Sequence, residues 1–399
     1  MRMSPGINPI IRQWQGISSV EYEVAVIGAG IAGASAAAAI AKTRSTILIE
    51  RETQPGYHAS GRSAALFTET YGNAAIRALT IASRPFLASP PVGFAQAPIL
   101  AERGAMFVGG EAERDLLEEI HQTAHRLVPS VRRVTADDVL AKVPAFRRDK
   151  VAGGVFEPDA MDIDTNGLLH GFLRQLRGEG GRLVTDSDVM ALTRKPSGWH
   201  IETRAGAITA QIIVNAAGAW ADDVAHLAGA APRGLAPKRR TAFLFQPPSA
   251  YDIAKWPLSI GAREDFYFKP DAGNLLVSPA DETPSTATDA QAEEIDIAIA
   301  ADRVMAMTHF DIRHISHSWA GLRTFATDKT PVIGFDSAVP DFFWLAGQGG
   351  YGFQTSPALA GLAADLVAGR PFPARLRDLG LTLDMLSPAR FGEPQRPAA

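Results

Sequence analysis

The sequence predicts an α/β protein, a Rossmann-type domain assembled from discontinuous segments and joined to an α+β domain of mostly antiparallel strands. Three observations predict it. A buried strand near the N-terminus runs into a glycine turn that opens an alanine-rich helix. Strand-like runs separated by turn residues fill the middle of the chain, as in antiparallel meanders. A second glycine-rich strand-to-helix turn follows roughly 320 residues after the first, so the first domain is completed only near the C-terminus. With 399 residues the chain exceeds the size at which one core stops growing, and two packed domains are expected.

The first strand and turn read Val24-Ala25-Val26-Ile27-Gly28-Ala29-Gly30-Ile31-Ala32-Gly33. Gly28 lets the chain turn tightly, Gly30 lets the backbone approach a pyrophosphate, and Gly33 lets helix and strand pack closely. Free N–H groups at Ile31, Ala32 and Gly33 open the helix, where the dipole favours an anion. A second strand, Thr46-Ile47-Leu48-Ile49, ends on Glu50, placed to accept hydrogen bonds from a ribose diol, with Arg51 beside it. The unit is therefore expected to bind a dinucleotide.

After Glu50, the small and polar stretch from Gln54 to Ala65 precedes a helix expected over 73–87, broken at Pro90-Pro91. Residues 105–108 read as a strand outside the nucleotide fold, and 115–126 as an amphipathic helix with Leu116, Leu117, Ile120 and Ala124 on one side. Thr135 carries an N-cap signature, and Asp164 or Thr165 can cap a helix that stops at Gly178. Runs at 182–192, 199–204 and 208–214 are expected as strands, ending in Asn215-Ala216-Ala217-Gly218-Ala219-Trp220, where a backbone passes close to a cofactor. Further strands are expected at 241–245, 258–260, 266–269, 275–277 and 318–325, with a helix over 291–307. The last strand, 342–346, leads through Gly347-Gln348-Gly349-Gly350-Tyr351-Gly352 into a helix over 356–368. The expected domains are 21–90, 155–228 and 326–393 for the nucleotide-binding domain, and 91–154 and 229–325 for the second. Residues 1–20 read as a flexible leader.

Formal net charge is −4, and Lys238-Arg239-Arg240 is the longest basic run, so nucleic acid is not expected as a partner. The chain has no cysteine, which removes disulfides, thiolate metal sites, thiol catalysis and a flavin tethered through sulfur. No apolar run reaches bilayer-spanning length, and the N-terminus lacks a signal-peptide core, so the chain reads as cytoplasmic. His309, His314 and His317 have no metal-ligand company, and no metal is expected.

The two separated glycine turns decide between dinucleotides. A long cofactor whose far end needs its own cradle fits them, and FAD is such a cofactor. A helix starting near Thr355-Ser356 aims its positive end at the flavin ring, where a reduced flavin carries negative charge. With no site for a nicotinamide cofactor, the electrons are read as coming from the organic substrate.

The fingerprint, Gln54-Pro55-Gly56-Tyr57-His58-Ala59-Ser60-Gly61-Arg62-Ser63-Ala64-Ala65, Asn215 to Trp220 and Gly349-Gly350-Tyr351-Gly352 together resemble the D-amino acid oxidase family of FAD enzymes. Within it the chain looks most like the bacterial D-arginine dehydrogenase branch, over residues from about 21 to about 390. The resemblance implies non-covalent FAD held by Gly28, Gly30, Ile31, Ala32, Gly33, Glu50, Arg51, Ser60, Gly61, Arg62, Ser63, Ala64, Ala65, Ala217, Gly218, Trp220, Gly349, Gly350, Tyr351, Gly352, Phe353 and Gln354. It implies a substrate carboxylate clamped by Arg240, Arg323 and Tyr267. The physics agrees, because a guanidinium fork makes paired, charge-assisted bonds to a carboxylate. It further implies Tyr71 on a loop over the pocket, Thr68 and Gln354 lining it, and Gly352 holding the amine through its backbone. His58, tempting as a tether or base, is read instead as contacting backbone or phosphate.

Two positions depart from the branch. Ala105 stands where arginine-preferring enzymes carry a glutamate, and Leu66 where they carry a histidine. Both changes point to neutral or apolar side chains, with Glu69 and Glu102 as candidate substitutes for the lost acid. The reaction so implied is oxidative deamination of D-amino acids to 2-oxo acids and ammonia, by hydride transfer from Cα to flavin N5, with oxygen or a quinone-type acceptor taking the electrons. Two alternatives stay open: a secondary-amine oxidase acting on sarcosine-like N-methyl amino acids, and a non-catalytic flavin electron-transfer subunit.

Overall fold

The computed structural model describes residues 21–392, so the expected leader and residue 393 lie outside the described residues. Two large sheets carry the chain. The first has eight strands, in the order Val189–Lys195, Gly198–Thr203, Gly206–Asn215, Glu21–Ile27, Thr46–Ile49 and Arg182–Val184, with Phe342–Ala346 and Val332–Phe335 attached off this path. Its centre is parallel. Glu21–Ile27 lies between Thr46–Ile49 and the second half of Gly206–Asn215, and that half also pairs with Phe342–Ala346. The first half of Gly206–Asn215 instead pairs with an antiparallel hairpin. Parallel strands flanked by helices must be apolar on both faces, and Val24, Ala25, Val26 and Leu48 are wholly buried.

Helix Ile31–Ile40 packs on this sheet through alanines, which let it approach helices Gly352–Val367 and Thr165–Gly178 closely. A Cβ at Gly33 would lie 1.8 Å from the Gly28 carbonyl oxygen, so only glycine fits that helix–turn contact. The caps foreseen at Thr135 and Asp164 are present. Thr135 and Asp138 exchange side-chain and backbone bonds at 2.9 and 3.2 Å, and Asp164 accepts from the Gly167 amide at 2.8 Å.

The second sheet has nine strands, in the order Thr283–Pro284, Ala236–Phe245, Asn274–Ser278, Tyr267–Asp271, Leu258–Gly261, Ala105–Gly109, Gly153–Glu157 and Arg132–Thr135, with His317–Phe325 on the free side of Ala236–Phe245. All pairs are antiparallel except Ala105–Gly109 with Leu258–Gly261. Alternation along these strands divides the residues. Met106, Val108, Phe156, Phe243, Phe268 and Val277 form a core under helix Glu294–Met307. The intervening positions, including Ala105, Glu157, Tyr267 and Arg240, therefore leave the opposite face. A small sheet of Leu66–Phe67, Met161–Ile163 and Leu100–Glu102 lies between the two large ones in sequence.

Most expected elements are present, with differences that have local causes. The run at 182–192 is two strands, because Asp186 takes a positive φ of 52° and the chain changes neighbours there, from Thr46–Ile49 to Gly198–Thr203. Strand Gly153–Glu157 runs across the expected boundary at 154/155 and stays wholly in the second sheet. The last long helix starts at Gly352, a turn earlier than residue 356.

Candidate active site

One long cavity runs between the sheets, from the crevice at the ends of the first sheet's parallel strands to the arginine-bearing face of the second. Its first end is the dinucleotide cradle. Gly28, with φ +99° and a Cβ position 2.6 Å from the Ala216 carbonyl oxygen, brings the backbone of two strands together. Gly30, Ile31 and Ala32 line the cavity at the N-terminus of helix Ile31–Ile40. The Ile31 amide donates to Ser60 Oγ at 2.9 Å, and the following amides are left for an anion. Glu50 is buried and oriented by its own backbone: Oε2 accepts from the Ala29 amide at 2.8 Å and Oε1 from the Glu52 amide at 3.0 Å. Burial pushes its carboxyl above the usual range. Beyond it, the Arg51 guanidinium lies 4.8 Å from the Trp220 ring centre and His58 packs 4.6 Å from the same ring, a flat platform beside Ser187, Asp188 and Val189.

The middle of the cavity is walled by Ser60, Arg62, Ser63, Ala64, Ala217, Gly218, Gly349, Gly350, Gly352 and Phe353. Arg62 is not free to bind a ligand. Its Nη1 donates to the carbonyls of Ala290 and Ala320 at 2.7 and 2.9 Å, and its Nη2 pairs with Asp289. It straps the 55–65 loop to the second sheet, and Trp319 Nε1 adds a bond to its carbonyl at 3.0 Å.

Arg240, Tyr267 and Arg323 line the far end together. Neighbouring strands set their spacing: Lys238 stands opposite Arg323 and Arg240 opposite Gly321. Arg240 Nε donates to the Asp281 carbonyl at 2.7 Å, and its guanidinium has Asp281 and Glu282 carboxylates at 3.8 Å. Arg323 differs. Among the described residues its guanidinium has neither hydrogen bond nor ion pair; it lies against Gly350, where a Cβ would sit 3.0 Å from Nη1. Burial by itself would lower its pKa, but Tyr267, Tyr71, Tyr351 and Asp281 around it raise it. Burial likewise works to raise the Tyr267 phenol, and the two guanidiniums outweigh it and draw the phenol down.

Other expected residues play supporting roles. Gly61 closes the loop through its amide to the Gly56 carbonyl, Ala65 packs on the core, and Gly33 serves the helix–turn contact. Gln354 is corrected: it is buried in its helix with Nε2 bonded to Thr80 Oγ1 at 2.9 Å and does not line the cavity. The Tyr71 ring lies 4.9 Å from that of Tyr351, tilted by 57°, and burial holds the Tyr351 phenol far from ionising. Thr68, Leu66, Ala105 and Tyr71 are likewise not on the wall of this cavity; Thr68 bonds to Glu157, Leu66 stands opposite Asp162, and Ala105 opposite Glu157. Of the candidate substitutes for the missing acid, Glu69 is paired with Arg84 at 2.6 Å and Glu102 is exposed. The sequence reading missed Asp281, Asp289 and Glu157, whose acidic character carries no local pattern, and Ser187 to Val189, hidden inside a run read as one strand.

A model of the DAO family, described as FAD dependent oxidoreductase, matches residues 23–366. The chain belongs to this family. FAD is its cofactor, and the glycine turn at Gly28-Gly30 and the second turn at Gly349-Gly350 line one and the same cavity. Glycine oxidase of Geobacillus kaustophilus (strain HTA426) is 24% identical over 383 residues, covering 90% of this chain and 97% of that protein. The crystal structure of glycine oxidase from Geobacillus kaustophilus superposes with a TM-score of 0.81 at 23% identity, over 93% of this chain and 99% of that one. L-proline dehydrogenase from P. horikoshii has a TM-score of 0.79 at 19% identity, over 93% and 98% of the two chains. Iminodiacetate oxidase (IdaA) from Chelativorans sp. BNC1 has a TM-score of 0.77 at 21% identity, over 92% and 98%. These likenesses share the fold across nearly the whole chain. Among the described residues, no helix is long and apolar enough to cross a membrane, and no group of three or more His, Cys, Asp or Glu is placed to hold a metal.

Proposed function

We propose that this enzyme oxidises D-amino acids to 2-imino acids, which water converts to 2-oxo acids and ammonia. The observation that carries the reading is Arg323: a guanidinium on the cavity wall, next to Arg240 and Tyr267, with no anion of its own among the described residues. A charged group so placed is costly unless a ligand supplies the counter-charge, and a substrate carboxylate does so through paired bonds. FAD, when bound, accepts two electrons with the Cα hydrogen. The protein's share is binding and orientation. Arg240, held by the Asp281 carbonyl, and Arg323 fix the carboxylate, while the Tyr267 phenol adds a donor between them. Gly352, at the start of its helix, offers backbone to the amine, which must be neutral for its lone pair to assist loss of the hydrogen. No side chain is required as acid or base for that step. Tyr71 and Tyr351 stand beside Arg323, their rings 4.9 Å apart.

The D-configuration is carried over from the resemblance to the D-arginine dehydrogenase branch, and non-covalent attachment fits a chain without cysteine. A secondary amine such as an N-methyl amino acid is the second reading, favoured by the structural likeness to iminodiacetate oxidase, since the same clamp receives any amino acid carboxylate. A non-catalytic flavin subunit has no use for an unpaired arginine on its cavity wall. Anaerobic mixing of the purified enzyme with D-alanine, D-methionine, D-arginine and sarcosine, read by bleaching of flavin absorbance, separates the three. Bleaching by the D-amino acids is the expected result; bleaching by sarcosine alone selects the second reading, and none at all the third. Readmitting air then tests oxygen as acceptor against a quinone.

A further inference from the structure

Beyond the carboxylate clamp lies an acid that the reaction as described does not use. Glu157 ends its strand directly opposite Ala105, so both side chains leave the same face of the sheet. That face bears Tyr267, because Ala105 pairs with Leu258, and Ile260, one alternation further, pairs with Tyr267. Thr68 Oγ1 donates to both Glu157 oxygens at 2.9 Å, and Thr70 Oγ1 to Oε2 at 2.6 Å. Thr70 adjoins Tyr71, whose ring lies 4.9 Å from that of Tyr351, and both tyrosines border Arg323. The acid is thus tied, through Thr70 and the adjoining Tyr71, to the surroundings of Arg323.

Glu157 is only 7% exposed, yet it has no cationic partner among the described residues. Of the two acids nearest it, Glu69 has Arg84, while Asp159 has only the Ser130 hydroxyl. Two hydroxyls supply two protons, while a carboxylate offers about four lone-pair sites, so acceptor capacity remains. Burial, with Glu69 and Asp159 adding to it, pushes its carboxyl above the usual range, and no cation opposes that shift.

We propose that Glu157 selects the substrate's side chain, favouring amino acids whose side chain ends in N–H donors: an amide, an amine or a guanidinium. The proposal rests on the reading of the cavity as an amino acid site. It revises the expectation of neutral or apolar side chains, because the acid missing at Ala105 is supplied from the adjoining strand.

The test compares kcat/KM of the holoenzyme for D-glutamine, D-lysine and D-arginine with that for D-methionine, which has no side-chain N–H. The wild type is expected to favour at least one donor-bearing substrate. Glu157→Leu is expected to lower that ratio roughly tenfold or more, mainly through KM, because the donor loses its partner. Glu157→Gln keeps the shape and an acceptor, and lowers the ratio for D-lysine and D-arginine more than for D-glutamine. The wild-type order of D-glutamine against the two cations identifies which donor the site takes. A wild type that prefers D-methionine to all three, or ratios within about twofold of wild type in both variants, overturns the proposal. Should Glu157→Leu fail to fold, Glu157→Gln and the wild-type order decide. If the FAD-loaded enzyme oxidises no amino acid of either configuration, the amino acid reading itself has failed, an outcome distinct from unchanged ratios.

Discussion

Arg323→Ala should raise KM for the amino acid about 100-fold, in line with losing roughly 3 kcal/mol of charge-assisted bonding at a buried site. Arg323→Lys keeps the charge but not the planar fork and should fall between. Steady-state kinetics check both, and an unmoved KM in the alanine variant takes Arg323 out of the clamp. Glu157 makes a second prediction at this scale. A carboxyl whose pKa is raised by folding keeps its proton longer in the folded state than in the unfolded one. Its contribution to stability is therefore complete below its ordinary value of 4.5 and is lost as pH rises through the raised value. Glu157→Gln should flatten that loss, so its melting temperature gains on the wild type as pH increases from 4.5 toward 8. Equal shifts at every pH would contradict it. Arg240, Tyr267 and Arg323 were legible as residues because each stands in a run that matches the family; Glu157 was not, since nothing local distinguishes a buried carboxylate from a solvated one.

The decisive element is the strand–turn–helix around Gly28. With φ +99° and the Ala216 carbonyl 2.6 Å from any Cβ, Gly28→Ala forces the turn open. The variant is expected to purify with most of its FAD lost, read as a fall in the ratio of flavin to protein absorbance. Full retention of flavin would mean that the turn yields without cost. The turn was legible because strand, glycines, helix and terminal acid recur at fixed spacing. The strand pair 182–184 and 189–195 was not, because its break is a change of partner strand, made at Asp186 without glycine or proline to announce it. The start of helix Gly352–Val367 was likewise placed late, since Gly352 itself reads as turn rather than helix.

Across the whole molecule, the 55–65 loop is held to the second sheet by Arg62 and by Asp289, which also receives Tyr57 OH at 3.4 Å. The cofactor cavity is therefore closed partly by contacts between the two sheets' loops. Asp289→Ala is expected to speed release of FAD several-fold, measured by the rise of free-flavin fluorescence on dilution. A release rate equal to wild type would show that Arg62 and the backbone carbonyls suffice.

By itself the sequence determined the nucleotide-binding unit and most of the strands and helices around it, because glycine conformational freedom and side-chain periodicity act over a few neighbouring residues; the proposed clamp of Arg240, Tyr267 and Arg323 came from the family resemblance. Only the tertiary structure decided which charges are answered. Arg62 is consumed by Asp289 and two carbonyls, Arg240 is braced by Asp281, Arg323 has neither hydrogen bond nor ion pair among the described residues, and Glu157 stands beside Ala105. Pairing of charges depends on which strands lie side by side, and strand neighbours here are drawn from parts of the chain far apart in sequence.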